Sequence, residues 1–290
     1  MTSRVFLLLF GTLAAFSCSR KDESKTDLVT FPLRGVVVGI DTTKQTLTVA
    51  HEAIPNYMSA MTMPFRVHDR ALLYPLARGD SIQATLAVSH TESWLEAINV
   101  IGRGPLPATM TAGDIIMNKV LKPGDIPPDD AWLNQDGTQI RLRSWRGKVV
   151  ALTFIYTRCP LPDFCIRMSS QFAAIQRTLG ADPHMAGQWH LLSVSFDPAL
   201  DRPPVLKRYA QTYQADFATW DFLTDPDTTG PSLRRLADGV GLSFTGDEGL
   251  FDHNLRTVLL DKDGKLFRVI QGNEWKAEEV AGEMKNLAAQ

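Results

Sequence analysis

The sequence lacks a strong charge imbalance, an internal repeat and a rich cysteine content, and each absence excludes a class of protein. Its 290 residues carry a formal net charge of −2, so no strongly basic face is expected and nucleic acid is not a predicted partner. No run of six like charges and no repeat of fixed period occurs, which argues against a charged tail or a solenoid. With 44% hydrophobic and 21% charged residues, the composition is that of a globular chain, and the length favours two domains.

Only three cysteines occur, at positions 18, 159 and 165, and the first belongs to an export signal. Residues 1–18 combine a cationic start with an apolar stretch that is too short to span a membrane. They end in A-F-S-C, which resembles a bacterial lipobox and implies lipidation of Cys18 and a membrane anchor on the periplasmic side. An ordinary signal peptide cut nearby, or an uncleaved anchor, is the alternative. In each case the chain is exported to an oxidising compartment.

The rest of the chain divides into a tether, two domains and a linker. Residues 19–30 are polar without periodicity and are predicted to be a flexible tether. Residues 31–103 contain five strand patterns and predict an all-β, five-stranded OB-like barrel. Residues 104–127, rich in Pro, Gly and small residues, form the predicted linker. In residues 128–290 strands alternate with helices before a hairpin and a last helix, which is the order of an α/β thioredoxin-like fold.

Soft ligands are concentrated in the first domain. The stretch from His51 to Met63 places one imidazole and three thioethers within thirteen residues. Strand alternation puts His51, Met61 and Met63 on inward faces near a strand end. Thioethers select Cu(I) or Ag(I) over hard cations. Methionine and histidine on an apolar face also simply fill a core, so the residues by themselves leave both interpretations open.

These residues resemble the periplasmic copper- and silver-binding CusF family, in which a His is followed by Met-x-Met in a five-stranded barrel opened by a G-V-V-V-x-I-D strand. That family binds Cu(I) or Ag(I) through one His and two Met, with a Trp covering the metal. The resemblance implies that His51, Met61 and Met63 are the ligands. Where the family has Trp this chain has Met58, which becomes a candidate fourth ligand.

The second domain places two thiols after a buried strand. Residues 149–156 form an apolar, β-branched run typical of a strand buried on both faces. Asp163 is predicted to cap the following helix, which would place Cys165 in the first turn, where backbone N–H groups favour a thiolate. Cys159 lies five residues before the second cysteine, after the strand. The pair is compatible with a structural disulfide, a redox pair or a metal site.

His253 is predicted on a loop before a later strand. In a thioredoxin-like sheet this loop lies at the same end as the cysteines, although a lone histidine is more often a surface residue than a ligand. Two thiolates and one imidazole form a soft set for Cu(I) or Cu(II), whereas zinc normally takes a fourth ligand.

Three motifs resemble the Sco/SenC family over about 160 residues: F-I-Y-T-R-C-P at 154–160, S-F-D-P-A-L-D at 195–201 and D-H-N at 252–254. Members of that family have a thioredoxin-like fold and bind copper through two Cys and one His. They serve assembly of the CuA centre of cytochrome c oxidase, as copper donor, as thiol reductant of the target cysteines, or both.

The Sco/SenC resemblance implies that Cys159, Cys165 and His253 are the copper ligands. It also implies that Asp197 and Asp201 are supporting residues near the site. The usual spacing in the family is three residues between the cysteines, whereas five intervene here. A longer loop changes how far apart the sulfurs lie and therefore affects the metal geometry and the redox potential.

The sequence therefore predicts an exported, membrane-tethered copper chaperone with two sites. Its predicted partner is the CuA subunit of cytochrome c oxidase or another copper client. The alternative is a thiol–disulfide oxidoreductase in which Cys159 and Cys165 are catalytic. A third possibility is sequestration of copper or silver without a client.

Overall fold

The computed structural model describes residues 28–55, 57–58, 60–89, 92–106, 120–247 and 250–290. The predicted leader with Cys18, most of the predicted tether and the middle of the predicted linker lie outside these residues. Among the described residues, no helix is long and apolar enough to cross a membrane.

The first domain is a closed barrel of five strands. The strands are β1 (Val29–Asp41), β2 (Thr46–His51), β3 (Met61–Val67), β4 (Asp80–Val88) and β5 (Ser93–Arg103), arranged in the order β1-β2-β3-β5-β4. Neighbours pair antiparallel, except that β3 and β5 are parallel. Buried and half-buried side chains alternate along β2, as expected for a strand that covers a core on one face. The prediction of a five-stranded all-β domain is confirmed.

The second domain is built on a five-stranded sheet whose central strand is the one that leads to the cysteines. Its strands are β6 (Ala131–Leu133), β7 (Gln139–Arg141), β8 (Val149–Ile155), β9 (Trp189–Ser195), β10 (Trp220–Leu223), β11 (Phe244–Asp247), β12 (Leu250–His253), β13 (Arg256–Leu260) and β14 (Leu266–Gln271). The helices are α1 (Arg167–Gly180), α2 (Pro203–Thr212), α3 (Pro231–Val240) and α4 (Ala277–Ala288).

The main sheet of this domain has the order β10-β9-β8-β13-β14. Strand β8 is parallel to β9 and antiparallel to β13, and β13 and β14 form a hairpin. Every residue of β8 is buried, which agrees with its continuous apolar sequence. Helices α1 and α4 pack against each other and contact β8. The central strand therefore ends at a rigid position from which the cysteine turn begins.

The last part of the predicted linker belongs structurally to the second domain. Leu121 N–H donates to the carbonyl of Gly239 over 2.8 Å. Gly124 N–H donates to the carbonyl of Leu266, whose own N–H donates to the carbonyl of Asp125. These bonds attach the backbone after residue 120 to α3 and β14.

Candidate metal site

The soft ligands of the barrel lie on the hairpin of β2 and β3. His51, the last residue of β2, is directly opposite Met61, the first residue of β3. Met63 lies two residues further on, so it shares a face with Met61. His51 and Met63 are 3% and 4% exposed, and Met61 is half-buried. Strand pairing thus brings together the three ligands predicted for this domain.

Met58 lies in the segment that leads into β3. Its backbone forms an isolated bridge with Ile54, whose N–H donates to the Met58 carbonyl over 2.8 Å. The Met58 side chain is 3% exposed. The structure therefore places the candidate fourth ligand in the interior beside the other two methionines.

The cysteines flank a short loop after β8. Cys159 N–H donates to the carbonyl of Tyr156 over 3.3 Å, which forms a turn at the strand end. Cys165 is fully buried and lies in a π-helical turn, Pro162–Ile166. Neither cysteine forms a disulfide.

The predicted helix start at Asp163 is wrong. The α-helix begins at Arg167, and Phe164 has dihedral angles of −106° and −110° that no helix contains. Cys165 is therefore not in the first turn of an α-helix. The Asp163 carboxylate does not cap this turn, because its side chain accepts hydrogen bonds from Ser93 of the barrel instead.

Two aspartates position the turn before the first cysteine. Asp201, which is fully buried, accepts hydrogen bonds from the N–H and the hydroxyl of Thr157, over 2.9 and 2.5 Å, and from the Ser195 hydroxyl over 2.7 Å. Burial raises the pKa of Asp201, against the lowering effect of these donors. Asp197 forms an ion pair with Arg158. Asp201 thus holds the backbone that leads to the cysteines, and Asp197 holds the side chain of Arg158.

His253 completes the set from a distant part of the chain. It is the last residue of β12, so its predicted place on a loop is wrong. The sulfur atoms of Cys159 and Cys165 and a ring nitrogen of His253 all lie within 4.8 Å of one another. His253 Nδ1 lies 2.9 Å from the Asn254 carbonyl, and because a carbonyl only accepts, Nδ1 donates. Nε2 is therefore the ring nitrogen that remains to contact Cys159 or a metal.

The two thiols have opposite pKa shifts. At Cys165, burial and the hydrogen bond to Cys159 raise the pKa well above its ordinary value. At Cys159, burial acts in the same direction, but hydrogen bonds from Cys165 and His253 outweigh it and hold the pKa well below its ordinary value. Cys159 is therefore the more acidic of the two thiols, and thiolate is the form that binds metal or attacks a disulfide.

Members of the two predicted ligand sets face each other across the domain boundary. One cavity of about 10 Å³ is lined by Met58, Met61 and Met63 from the barrel and by Cys159 and His253 from the second domain. That volume accommodates about one water-sized particle. The sequence did not predict this arrangement, because no local pattern indicates how two domains dock.

Hydrogen bonds to the loop between the cysteines attach the barrel. The Asp163 carboxylate accepts from the N–H and hydroxyl of Ser93, over 2.6 and 2.9 Å, in a buried position. The Tyr57 hydroxyl donates to the Pro160 carbonyl over 3.2 Å. Burial, and then the charge of Cys159, raise the pKa of Tyr57, so this phenol stays protonated and can donate. Sequence reasoning missed Ser93, Tyr57 and the docking role of Asp163.

A wider groove lies beside the small cavity. It has a volume of about 550 Å³ and runs between β2 and β3 on one side and the second domain on the other. Phe164 and His253 line both the groove and the small cavity. The imidazole therefore lies where the ligand set meets an open surface.

The second domain is thioredoxin-like, with two cysteines after its central strand and a histidine from a later hairpin. This places the chain in the class of thioredoxin-like proteins whose thiol and imidazole groups suit a soft metal. Within this class, the SCO1/SenC family model matches residues 125–289, more than half of the chain, and the chain belongs to this family. The family model of the copper binding periplasmic protein CusF matches residues 30–100. Both predicted family resemblances are confirmed.

Individual relatives agree with this assignment. The SCO1 protein homolog of Bacillus subtilis (strain 168) is 36% identical over 147 residues, which cover 49% of this chain and 71% of that protein. The crystal structure of a SCO1/SenC family lipoprotein from Bacillus anthracis str. Ames is 25% identical, with a TM-score of 0.51 over 58% of this chain and 99% of that one. BsSco, a member of the Sco family of cytochrome c oxidase assembly proteins in which a disulfide switch was identified, is 25% identical with a TM-score of 0.50 over 59% and 99%. The predicted thioredoxin-like fold is confirmed.

Proposed function

We propose that this protein is an exported copper chaperone that carries Cu(I) or Cu(II) on Cys159, Cys165 and His253. The observation that carries the proposal is the set of two sulfurs and one imidazole nitrogen within 4.8 Å of one another. Thiolate and imidazole are ligands that suit copper. The ion is cargo, received and handed on, rather than a permanent part of the fold.

The barrel contributes a second set of soft ligands, His51, Met61 and Met63, with Met58 as a fourth. His51 Nδ1 lies 2.7 Å from the Glu52 carbonyl and donates to it, so Nε2 carries the lone pair in this tautomer. Thioethers favour Cu(I) and equally suit Ag(I). The match of this domain to the CusF family model supports the assignment.

The client that we propose is the CuA subunit of cytochrome c oxidase or another copper protein. The similarity to BsSco, a member of a family of cytochrome c oxidase assembly proteins, supports this choice. We further propose that Cys18 carries a lipid that holds the chain on the periplasmic side of a bacterial membrane. The relative from Bacillus anthracis is a lipoprotein, which is consistent with such an anchor.

Anaerobic titration of the full chain with Cu(I), in competition with a chromophoric chelator, tests the copper assignment. We expect Cys159→Ser and His253→Ala to weaken copper binding strongly, because each removes a ligand from a three-ligand set. His184→Ala is the matched control, since His184 is exposed and remote from the set. Copper binding no stronger than background in the unaltered chain, or full binding by Cys159→Ser and Met61→Ala, contradicts the proposal.

A cellular experiment separates delivery from sequestration. Deletion of the gene should lower cytochrome c oxidase activity at ordinary copper supply if the protein delivers copper to the oxidase. A strain with normal oxidase activity but reduced survival in copper or silver would instead favour sequestration.

Thiol–disulfide exchange is the second candidate function, and the proximity of two unbridged cysteines favours it. In this reaction the Cys159 thiolate attacks a client disulfide and releases one client thiolate. Cys165 then loses its proton to water and attacks the mixed disulfide, which leaves a Cys159–Cys165 disulfide and a reduced client. His253→Ala separates the two functions, because it removes a copper ligand and leaves both sulfurs. Continued reduction of a CuA-domain disulfide by His253→Ala, at a lower rate because His253 no longer lowers the pKa of Cys159, would support this second function.

A further inference from the structure

We propose that the two ligand sets are halves of one site, and that the docked domains hold a single Cu(I) ion between them. The proposal rests on the proposed function for the nature of the cargo. It adds that the barrel is not an independent copper store, because its thioethers complete the coordination of the ion held by the cysteines.

The cavity between the domains has the size and the lining that this requires. Its volume of about 10 Å³ suits one monatomic ion and is too small for an organic ligand. Three thioethers line one side, from Met58, Met61 and Met63, and a thiol and an imidazole line the other. Such a lining attracts soft cations, whereas hard cations require oxygen ligands.

The docking contacts hold the two halves in register. Asp163 is 5% exposed, and its carboxylate accepts two hydrogen bonds from Ser93. Charge-assisted bonds of this kind are strong, and separating the domains would leave the N–H and hydroxyl of Ser93 without this partner. Pro160, on the same loop, accepts from Tyr57. Both acceptors lie between the cysteines, so the bonds that dock the barrel also position the loop that carries the thiols.

The loop between the cysteines has a role in docking. Its five residues include both Pro160 and Asp163, which accept hydrogen bonds from Tyr57 and Ser93 of the barrel. The loop therefore supplies docking acceptors for a barrel that is fused to the same chain.

Copper would enter and leave this shared site by ligand exchange. The ion remains Cu(I), so no electron is gained or lost and no oxidant or reductant is needed. Each copper–thioether bond that breaks is replaced by a bond to a cysteine sulfur or to the imidazole nitrogen. Cys165 transfers its thiol proton to water when its sulfur coordinates.

Anaerobic Cu(I) competition titrations of the full chain test the shared site. Groups that share one partner are coupled, and we expect about a tenfold loss of affinity for the first Cu(I) in Met61→Leu. The same loss is expected in Ser93→Asp, which places a second carboxylate against buried Asp163 and separates the domains. The control is Met185→Leu, a buried methionine remote from the cavity. This control should bind the first Cu(I) as the unaltered chain does.

An unchanged first affinity in Met61→Leu and Ser93→Asp, with two Cu(I) ions bound per chain, overturns the shared site and leaves the proposed function intact. If every variant, including Cys159→Ser, keeps its full copper binding, the proposed function is overturned instead.

A second measurement needs no substitution that endangers folding. The full chain is labelled with selenomethionine and receives one equivalent of Cu(I). X-ray absorption then detects copper–selenium contacts, and alkylation with iodoacetamide measures how accessible Cys159 is. A shared ion gives a copper–selenium contact and complete protection of Cys159 together. Two separate sites cannot give both with one equivalent, so incomplete protection or an absent selenium contact overturns the proposal.

Discussion

The two halves of the proposed metal site are assembled in different ways. In the barrel, His51 and Met61 are paired residues of one hairpin, so the antiparallel register alone makes them neighbours. In the second domain, His253 reaches the cysteines only after three helices and several strands have folded between them. The first half therefore depends on local pairing, whereas the second depends on the whole domain.

The supports of the two halves differ in the same way. Gly35 of β1 is opposite His51 and allows the strands to approach closely. The cysteine turn is held instead by the buried carboxylate of Asp201, which lies far along the sequence. A packing contact thus supports the local half, and a buried polar network supports the distant half. Substitutions at the two supports should have separable effects.

The largest effect is expected from Asp201→Ala. This change leaves the N–H and hydroxyl of Thr157 and the hydroxyl of Ser195 without their acceptor. Buried donors that lose their partners cost about 1–3 kcal/mol each, so we expect the free energy of unfolding to fall by about 3 kcal/mol. Copper affinity of the cysteine set should also fall by about 10- to 100-fold, as for other residues that orient ligands. Urea unfolding and Cu(I) competition measure the two effects.

The control for that experiment is Asp263→Ala, which removes an exposed carboxylate on a surface turn and should change neither quantity. If Asp201→Ala is as stable and binds copper as well as this control, the carboxylate does not hold the turn.

Gly35→Ala should have a smaller effect that is confined to the barrel. A Cβ atom at this position would lie 2.5 Å from the Ala50 carbonyl oxygen and 2.6 Å from a Val49 methyl carbon. Overpacking of this kind costs about 1–3 kcal/mol. Hydrogen exchange should therefore accelerate at the amides of β1 and β2 and stay unchanged in β8. Gly39→Ala, on the same strand, meets its nearest atoms at 3.6 Å and is the matched control; equal exchange in both variants would contradict the packing argument.

The smallest effect is expected from Tyr57→Phe, which tests the junction of the two halves. The change removes the hydrogen bond to the Pro160 carbonyl and keeps the ring stacked on Phe31 at 4.0 Å. A loss of about 1 kcal/mol is expected for one such bond. The rate of Cys159 alkylation in the full chain should rise about fivefold in consequence. Tyr74→Phe, at an exposed tyrosine of the barrel, should leave the rate unchanged, and equal rates in the two variants would mean that this bond does not hold the domains.

Structural features that depend on one strand alone were predicted correctly from the sequence. Strand alternation correctly indicated the inward positions of His51 and Met63, and the apolar run at 149–156 correctly indicated the central strand. These properties depend on side-chain spacing along one strand, which the sequence contains directly. The motifs also led to both families, since they combine residue type with order along the chain.

The errors lie where distant residues compete with local ones. Asp163 has the side chain and position of a helix cap, but its carboxylate accepts hydrogen bonds from Ser93 of the other domain instead. The helix then begins at Arg167 and the cysteine lies in a π turn. A local capping preference is worth about 1 kcal/mol, which a buried, charge-assisted pair of hydrogen bonds can exceed.

By itself, the sequence determined the two families, the barrel hairpin with its soft ligands and the strand that carries the cysteines. It did so because these depend on residue order and on the two-residue period of a strand. Only the tertiary structure decided that His253 meets the two thiols, that the loop between the cysteines docks the barrel and that three methionines face Cys159 and His253 across one cavity. Those contacts join residues that are far apart in the chain, and they form only when buried hydrogen bonds and packing hold both domains in one arrangement.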